Sequence, residues 1–503
     1  MVWNRQRLLE MIERRLRGCR FIAVSNREPY LHRFRGDEVE CFRPASGLTA
    51  ALDPVMKACG GTWVAHGSGN ADRISADAGG KLAVPPEDPR YTLRRVWLSK
   101  DQEDGYYYGL ANEGLWPLCH IVFAPPRFDA ENWACYRRVN ETFAQAVVQE
   151  AGQESAVVFI HDYHFGLLPR MLRQGAGNLL IAHFWHIPWP NRETFRAFPW
   201  GEEMLDGLLG NDLLGFHLRY HCQNFLDTVD RSIEARVNPE RFEVSRRGKK
   251  TLVLPFPISI DFETHSAAAR AAPVVEEMER WRRQLGLQGR VVGIGVDRID
   301  YTKGIPDRLR AIDLFLERNE NYRGRLVFVQ VGVPSRTRIP RYQRLSDEIQ
   351  SLVEEINWKW SNDSWIPLVF LKEHVETRRL MALHRLADFC MVTSLHDGMN
   401  LVAKEFVASR VDDEGVLILS RFTGAARELV EALLVNPFSL EEMVEAIGRA
   451  LAMPPEERRW RMNKMRETVA VHNIYRWAGK IISRLLSIGF PERRRVSRAG
   501  SGL

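Results

Sequence analysis

One segment of the sequence combines two carboxylates with the start of a helix, an arrangement suited to an anionic, oxygen-rich ligand. Asp397 lies in an Asp-Gly turn after an apolar run, Asn400 opens a predicted helix, and Glu405 lies more than one turn inside that helix. A helix N-terminus presents unpaired backbone N–H groups and the positive end of the helix dipole, which together bind anionic oxygen atoms. Because the two carboxylates are eight residues apart, they would contact different parts of one ligand. An ordinary capped corner between a strand and a helix is the alternative interpretation.

Two basic residues at the mouth of another predicted helix could hold a diphosphate. Arg298 and Lys303 are five residues apart, after an apolar strand and before a helix-opening proline. Arginine offers a planar fork of donors and lysine offers a point charge, and both groups suit phosphate oxygens. Three nearby aspartates could instead neutralise these charges, so the local sequence leaves both interpretations open: Asp297, Asp300 and Asp307.

A second group of polar residues follows the predicted strands in the first half of the chain. Arg27 ends the first strand, where it would meet a ligand or form a surface ion pair, and Asp162 and His186 end two later apolar runs. Parallel strands place their carboxyl ends along one edge of a sheet, so Asp162 and His186 are expected to face one cleft. Histidines also occur with His-x-x-His spacing at 161/164 and 183/186. No Cys or Glu ligand pattern accompanies them, and the sequence therefore predicts no metal site.

Two further features lie near these strands. A small-residue turn containing Ser46 and Gly47 opens an apolar helix and could approach a ligand closely. Residues 60–130 are predicted as irregular structure and short strands that carry an aromatic group, including Tyr107 and Trp116. Aromatic residues at this density suit either a sugar-stacking wall or a hydrophobic subcore.

The elements that carry these residues alternate between apolar strands and helices twice along the chain. The second alternation begins after a proline-bearing crossing at residues 255–260. Two successive patterns of this kind predict an α/β protein with two doubly wound domains and a cleft between them. The predicted boundaries are a helical extension at 1–19, domains at 20–257 and 258–473, a helix at 474–490 and a disordered basic tail at 491–503.

Composition restricts the class of protein and its surroundings. The 503 residues carry a net charge of +6, concentrated near both ends, which is too mild to indicate nucleic acid and suits an anionic small molecule equally well. Seven scattered cysteines form no Cys-x-x-Cys pair, so the sequence predicts no disulfide framework and favours the reducing cytoplasm. No apolar run approaches the roughly 18 residues that span a bilayer, and the N-terminal amphipathic helix is expected to lie on the protein itself rather than on a membrane or a partner.

Seven short motifs, taken together, carry a family resemblance that covers about residues 20–488. They are VSNR at 24–27, LWP at 115–117, HDYH at 161–164, HIP at 186–188, RIDYTKG at 298–304, DGMNLVAKE at 397–405 and FTGAA at 422–426. The set resembles the trehalose-6-phosphate synthase family. This resemblance implies the GT-B architecture of two Rossmann-like domains, with a C-terminal helix that crosses back to the first domain. It also implies a retaining transfer of glucose from UDP-glucose, or another nucleoside-diphosphate glucose, to glucose 6-phosphate, without a metal or other cofactor.

The same resemblance implies a role for each candidate residue. Arg298 and Lys303 would hold the donor diphosphate and act on its leaving charge. His186 would contact the donor glucose near the reacting centre, and Asp162 would lie close to the acceptor, so these four residues are the catalytic candidates. The donor site would comprise Ser46, Gly47, Arg298, Lys303, Asp397, Gly398, Met399, Asn400, Leu401, Val402 and Glu405, the last of these on the ribose. The acceptor site would comprise Arg27, His66, Tyr107, Trp116, Asp162 and Arg336.

The sequence departs from the family pattern at two positions of the predicted site. Ser46 stands where the family usually has a glycine, and His66 falls where an acceptor-side tryptophan is usual, which reduces the stacking area. Residues 27–30 and 215–220 also resemble the related glucosylglycerol-phosphate synthases, so glycerol 3-phosphate is the alternative acceptor. A catalytically inactive sugar-phosphate sensor on the same fold is a third alternative. The expected partners are small-molecule substrates, without nucleic acid or membrane, and a homo-oligomer is left open.

Overall fold

The computed structural model describes residues 3–44, 47–175 and 178–490. The chain divides into two compact units, one formed by the residues up to 258 together with those from 474 onward, and the other by residues 259–473. Ser46 and the tail at 491–503, which was predicted to be disordered, lie outside the described residues.

The first unit alternates strands and helices around one large sheet. Its strands are β1 (Arg20–Arg27), β2 (Leu31–Arg35), β3 (Glu38–Phe42), β4 (Thr62–His66), β5 (Lys81–Val84), β6 (Tyr91–Val96), β7 (Ala156–His161), β8 (Leu179–Phe184), β9 (Leu213–Phe216), β10 (Arg236–Asn238), β11 (Glu243–Arg246) and β12 (Lys249–Pro255). Its helices up to this point are α1 (Arg5–Arg15), α2 (Gly47–Cys59), α3 (Lys100–Glu103), α4 (Trp116–His120), α5 (Ala130–Ala151), α6 (Leu168–Gly175), α7 (Arg192–Phe195), α8 (Gly201–Leu208) and α9 (Arg219–Ser232).

The large sheet has the strand order β10-β11-β12-β9-β8-β7-β1-β4-β6-β5. The strands from β12 to β6 are parallel, and antiparallel strands lie at both edges. Every residue of β7 and β8 is buried, as expected for parallel strands that helices cover on both faces. From β1 the chain builds outward to β4 and β6 on one side, and then from β7 outward on the other. The strand order therefore reverses between β1 and β7.

Residues 60–130 contain more helix than the sequence predicted. Beyond the three strands, α3, a π-helical segment at Asp104–Leu115 and α4 form one continuous helical run. Glycine and tyrosine are weak helix formers, so propensity gave no signal for this run, and packing decides its conformation instead. A Cβ added at Gly109 would lie 2.5 Å from the side chain of Asn132 on α5, and glycine thus permits the close approach of the two helices.

The helices at the two ends of the chain both belong to the first unit. Leu8 of α1 is fully buried, and the Cβ that Gly479 lacks would lie 2.2 Å from the ring of Trp3. Gly479 is part of the last helix, at Ile474–Ile488, whose Trp477 packs edge-on against Phe184 of β8 with 5.1 Å between ring centroids. The N-terminal helix thus lies on the body of its own unit.

The second unit is a smaller alternation of the same kind. Its strands are β13 (Val291–Arg298), β14 (Leu326–Val333), β15 (Leu368–Leu371), β16 (Phe389–Val392), β17 (Val416–Ser420) and β18 (Leu433–Val435). Its helices are α10 (Phe262–Arg270), α11 (Ala272–Gln284), α12 (Ile305–Arg318), α13 (Pro340–Trp360), α14 (Thr377–Leu386), α15 (Leu401–Ser409), α16 (Leu440–Ala452) and α17 (Pro455–Val471), and the helix at Ile474–Ile488 that follows is α18.

The sheet of the second unit has the order β15-β14-β13-β16-β17-β18, and all of its strand pairs are parallel. Counted along the chain this is the order 3-2-1-4-5-6 of a Rossmann-like, doubly wound sheet. The reversal lies between β13 and β16. The parallel core of the first unit has the corresponding order, so the predicted pair of doubly wound α/β units is confirmed.

Candidate active site

Both sheets carry candidate residues at the point where their strand order reverses. In the second unit Arg298 ends β13, and Asp397 follows β16, the neighbouring strand across the reversal. In the first unit Arg27 ends β1, and Asp162 follows β7. Open α/β sheets bind ligands outside the carboxyl ends of their strands at such a reversal. The topology therefore supports the position of both groups.

Lys303 and Asp397 form an ion pair in the second unit. Lys303 ends a short 3-10 turn, and its Nζ donates to Oδ2 of Asp397 over 2.5 Å. Asn400 Nδ2 donates to the same carboxylate oxygen over 3.2 Å. Because both charged side chains are largely buried, solvent screens this pair less than it would a surface pair. Asp397 is thus held in one orientation before α15.

Close backbone contacts hold the loop between β16 and α15. The N–H of Asp397 donates to the carbonyl oxygen of Phe422 over 3.1 Å. A Cβ at Gly424 would lie 2.1 Å from the carbonyl oxygen of Gly398, so the approach of these two segments requires glycine at 424. The FTGAA and DGMNLVAKE motifs are therefore in direct backbone contact, although they are separated in the chain.

Asn400 forms the entrance to α15. Its φ of 81° lies in the left-handed region, which asparagine tolerates better than most residues, and its Oδ1 accepts from the N–H of Ala403 over 3.1 Å. Leu401 and Val402 then form the first turn of the helix, where backbone N–H groups have no partner within the helix itself. Met399 beside them is buried. This is the helix N-terminus that the sequence predicted as an anion site.

Glu405 lies one turn further along α15 and differs from its neighbour Lys404. Burial raises the pKa of Glu405 to about 7, and no described residue forms an ion pair with it. Lys404 instead donates to Glu428 over 2.6 Å, and both of those side chains are nearly inaccessible. The carboxyl group of Glu405 is therefore half-buried and is not part of an ion pair with a described residue.

A fully buried carboxylate brings two arginines together beside this loop. Arg336 Nη1 donates to Oδ2 of Asp300 over 2.8 Å, and Arg298 Nη2 lies 4.0 Å from the same oxygen. Burial alone would raise the pKa of Asp300, but the adjacent Arg336 and Arg298 guanidinium groups outweigh it and hold the pKa below its usual value. Arg336, predicted for the acceptor site, has a φ of 51° and belongs to the second unit. The strained backbone and the shared carboxylate fix its guanidinium next to Arg298.

The other two aspartates near Arg298 and Lys303 have partners of their own. Asp297 pairs with Arg308 over 2.6 Å, and Asp307 pairs with Arg310 over 3.0 Å. Of the three aspartates that could have neutralised the predicted diphosphate site, Asp300 is the one that approaches Arg298. Positive charge therefore predominates around this carboxylate.

Arg308 is a residue that the sequence analysis missed. It is fully buried and donates to Asp297 at the end of β13, to Gln330 on β14 over 2.9 Å and to Thr393 after β16 over 2.9 Å. Its Nη2 also donates to the carbonyl oxygen of Lys303 over 3.3 Å. One side chain thus links residues of β13 and β14, and the residue after β16, to the turn that presents Lys303. Its burial could have been predicted, because helical spacing places Arg308 among the apolar residues of α12.

In the first unit, Asp162 and His186 come together as predicted. Asp162 has a φ of 73°, and its Oδ1 accepts from the backbone N–H of His186 over 3.1 Å. His217 Nε2 donates to the carbonyl oxygen of His186 over 3.0 Å, so the backbone of His186 is held on both sides. Its ring meets His161, with 3.1 Å between His186 Nε2 and His161 Nδ1. Burial, reinforced by neighbouring imidazoles, lowers the pKa of His186 well below its usual value, and the ring is neutral at physiological pH.

Three of the predicted acceptor residues form a second group in the same unit. Arg27 Nη2 donates to the hydroxyl of Tyr107 over 3.1 Å, and Arg27 lies opposite His66 in the register of β1 and β4. His66 is buried, and burial lowers its pKa to about 4. Trp116 is also buried and packs against Tyr163, with 5.9 Å between ring centroids. Trp116 is thus less accessible than the half-buried Tyr107, which contacts Arg27.

A buried network supports the strand ends that carry Arg27 and His66. Arg95 of β6 is buried, and it donates through Nε to Glu28 over 2.7 Å and pairs with Asp72 over 2.8 Å. Burial and a hydrogen bond with Asp72 raise the pKa of Glu28 to about 9, so that carboxyl group is protonated at neutral pH. This network was not predicted from the sequence either, although Arg95 lies on the same buried face of β6 as Tyr91 and Leu93.

Gly47 begins α2 in the first unit, and its neighbour Ser46 lies outside the described residues. Among the residues that the structure describes, no cluster of three or more His, Cys, Asp or Glu side chains is arranged to hold a metal ion. The described helices likewise include none that is long and apolar enough to cross a membrane.

Comparisons with known proteins identify the family of this chain. The family model of glycosyltransferase family 20 matches residues 19–487. A bifunctional trehalose-6-phosphate synthase/phosphatase from Thermoproteus tenax is 38% identical over 479 residues, which are 93% of this chain but 64% of that relative. A trehalose-6-phosphate synthase from Mycolicibacterium vanbaalenii is 39% identical over 483 residues, covering 94% of this chain and 97% of the relative.

A solved structure is similar over nearly the same length. It is a UDP-forming α,α-trehalose-phosphate synthase from Burkholderia xenovorans in complex with glucose 6-phosphate, with a TM-score of 0.84 and 30% sequence identity. The similarity covers 93% of this chain and 99% of that one.

Proposed function

This chain belongs to glycosyltransferase family 20, and on that premise we propose that it transfers glucose from UDP-glucose to glucose 6-phosphate with retention at the anomeric carbon. The products are α,α-trehalose 6-phosphate and UDP. The observation that carries the proposal is the cluster of Arg298, Lys303 and the N-terminus of α15 at the strand reversal of the second unit. These groups combine positive charge with backbone donors, the combination that a leaving diphosphate requires.

The reaction exchanges one bond at the anomeric carbon for another. The bond from this carbon to the diphosphate oxygen breaks, and a bond to the acceptor hydroxyl forms on the same face of the sugar. The departing phosphate oxygen takes the proton of that hydroxyl, so no side-chain nucleophile is needed. Arg298, Lys303 and the first turn of α15 stabilise the negative charge that develops on the diphosphate, which makes them electrostatic catalysts.

The remaining residues orient the two sugars. Asp397, fixed by Lys303 and Asn400, offers carboxylate oxygens to donor-glucose hydroxyls, and Glu405 binds the ribose. His186 and Asp162 contact the sugars at the reacting centre. The family resemblance assigns the acceptor phosphosugar to Arg27, His66, Tyr107, Trp116 and Arg336. It assigns the rest of the donor site to Ser46, Gly47, Gly398, Met399, Leu401 and Val402.

The direct test is an initial-rate assay of UDP release with UDP-glucose as donor and glucose 6-phosphate as acceptor. We expect release that depends on both substrates, together with formation of the phosphorylated disaccharide. Release no faster than hydrolysis without acceptor would refute the proposal and would favour an inactive sugar-phosphate sensor. Comparison of UDP-, ADP- and GDP-glucose in the same assay identifies the base.

A second candidate acceptor is glycerol 3-phosphate, which would make the enzyme a glucosylglycerol-phosphate synthase. His66 is the specific observation in its favour, because a buried imidazole beside Arg27 offers less stacking area than the usual tryptophan. Faster turnover with glycerol 3-phosphate than with glucose 6-phosphate would establish this alternative, and equal or slower turnover would remove it.

We also propose that catalysis needs no metal or other cofactor, since the two basic residues and the helix N-terminus supply positive charge at the diphosphate. Turnover that survives a chelator such as EDTA is the expected result.

A cytoplasmic location is proposed because none of the seven cysteines, all of them within the described residues, is in a disulfide. A homo-oligomer is tested by light scattering on the purified chain.

A further inference from the structure

Two neutral histidines in the first unit share one hydrogen bond. His161 Nδ1 and His186 Nε2 lie 3.1 Å apart, and burial lowers the pKa of both rings well below the usual value. A neutral imidazole carries one N–H and one bare nitrogen, so one of these two atoms must donate and the other must accept. If His161 donates, the proton of His186 is on Nδ1. If His186 donates, its proton is on Nε2 and that of His161 is on Nε2 as well.

The surroundings of His161 distinguish these two arrangements. Its Nε2 is buried and has no hydrogen-bond partner among the described residues, and the same is true of Nε1 of Trp477 on α18. The two rings are neighbours, with 6.2 Å between their centroids. Indole nitrogen can only donate. A proton on His161 Nε2 would therefore leave two buried N–H donors without an acceptor, whereas a lone pair there leaves only the indole N–H in that state.

A nearby histidine adopts the arrangement with a buried lone pair. His183 Nε2 lies 2.9 Å from the carbonyl oxygen of Asp162, which can only accept, so Nε2 of His183 carries the proton. Its Nδ1 is then a buried lone pair, and no described residue donates to it. This part of the first unit thus already holds an imidazole nitrogen in the state required of His161 Nε2.

We propose that His161 is a positioning residue: it donates from Nδ1 to Nε2 of His186 and so holds the proton of His186 on Nδ1. His186 is half-buried, and within the described residues its Nδ1 makes no hydrogen bond, so this N–H is left for a ligand. Asp162 and His217 hold the backbone of His186 on both sides and fix the direction in which the ring projects. His186 is then a hydrogen-bond donor to an oxygen atom of the sugar, and that sugar is donor glucose if the proposed function holds.

The tautomer can be measured without any assay of activity. We label the full-length chain with nitrogen-15 in histidine and assign the His186 signals by their loss in His186→Asn. The chemical shifts of the two ring nitrogens then show which one carries the proton. We expect the proton on Nδ1 in the native chain. A proton on Nε2 would overturn the proposal, and this result does not depend on whether the proposed function is right.

Two substitutions of His161 separate positioning from packing. His161→Asn retains an amide N–H near the place of Nδ1, whereas His161→Leu retains the volume but no donor. We expect His161→Leu to shift His186 towards the Nε2–H tautomer and to lower kcat about 10- to 100-fold, the usual effect of losing a partner that orients a histidine. We expect His161→Asn to restore the Nδ1–H tautomer and most of kcat.

A matched control removes an equally buried histidine elsewhere. His384→Leu alters α14 of the second unit and is expected to leave both the His186 spectrum and kcat unchanged. If His161→Leu also leaves the spectrum and kcat unchanged, or if both His161 variants lower kcat equally without changing the tautomer, His161 only fills space and the proposal is wrong. If the native chain releases no UDP, the proposed function fails, and the nitrogen spectra still decide the tautomer.

Discussion

At the carboxyl edges of the two sheets, neutral imidazoles meet in the first unit and charged side chains form ion pairs in the second. In the first unit His161 and His186 are neutral, because burial among other imidazoles lowers the pKa of both. In the second unit Lys303 pairs with Asp397, and Arg298 and Arg336 gather around Asp300. A neutral imidazole can donate to or accept from a sugar hydroxyl, whereas a leaving diphosphate needs positive charge. The same strand order thus supports two different sets of polar groups.

Beneath each edge lies a buried arginine with a different set of partners. Arg308 in the second unit has one carboxylate, Asp297, and otherwise donates to neutral oxygens. Arg95 in the first unit meets two carboxyl groups, of which Glu28 has its pKa raised to about 9 and is protonated. Each arginine therefore balances one negative charge at neutral pH. Arg95 also contacts Glu28, whose carboxyl group is still protonated at that pH.

The largest change in free energy is expected in the stability of the fold, when one of these buried arginines is replaced. Arg308→Met leaves Asp297 buried without its ion pair, and breaking a buried pair costs about 3–5 kcal/mol of stability. Arg95→Met is expected to cost a similar amount in the first unit. Hydrogen exchange at increasing urea concentration, compared between β13 and β1, assigns each loss to its unit. Arg310→Met, which breaks half-exposed pairs, is the control and is expected to change stability by less than about 1 kcal/mol. Equal losses for Arg308→Met and Arg310→Met would show that burial of the pair is unimportant.

Among the substitutions considered, those of Lys303 and Arg298 in the second unit are expected to have the largest effect on kcat. Lys303→Ala and Arg298→Ala each remove positive charge from the leaving diphosphate, and each is expected to lower kcat about 100- to 1,000-fold with the fold intact. Initial rates of UDP release measure the effect, and circular dichroism checks the fold. Arg310→Ala on α12 removes a basic residue of the same unit outside the site and is expected to retain normal turnover. Near-normal rates for both site variants would mean that the diphosphate binds elsewhere.

Protonation of Glu405 is expected to have a smaller effect, on the affinity for UDP. Its pKa is raised to about 7, so the carboxylate that accepts from ribose hydroxyls is present above that pH and is lost as the pH falls through it. UDP affinity is expected to weaken by about tenfold per pH unit below 7, until the affinity of the protonated form is reached. Calorimetry from pH 5.5 to 8.5 on the native chain and on Glu405→Gln separates this effect from titration of UDP itself. Parallel profiles for the two proteins would contradict the ribose assignment.

The smallest effect is expected on the KM for the acceptor, from a substitution of His66 in the first unit. His66→Trp adds stacking area, and an aromatic contact contributes about 0.5–1.5 kcal/mol, which lowers the KM for glucose 6-phosphate about 2- to 12-fold with kcat unchanged. Glycerol 3-phosphate has no ring to stack, so its KM should not fall. A greater improvement for glycerol 3-phosphate would show that position 66 does not contact the acceptor ring.

Local sequence determined the α/β class, the two successive alternations and most of the charged residues of the candidate site. Apolar runs of strand length, Gly-rich turns and helix-opening residues such as Asn400 depend on near neighbours in the chain, and they can be recognised without tertiary structure. The loop at residues 396–405 shows this well, since its capped helix is where the sequence placed it.

Tertiary structure alone decided which groups meet and in what electrical state. Lys303 is paired with Asp397 although 94 residues separate them. Arg308 contacts Asp297, Gln330 and Thr393, which are also far apart in the chain. The helical run around Gly109 also depends on packing against Asn132 rather than on propensity. Burial cannot be read from a residue type alone. It lowers the pKa of His161 and His186, which are therefore neutral, and raises the pKa of Glu405. The physical reason is that pairing and desolvation are set by the whole fold, whereas strands and helix ends are set locally.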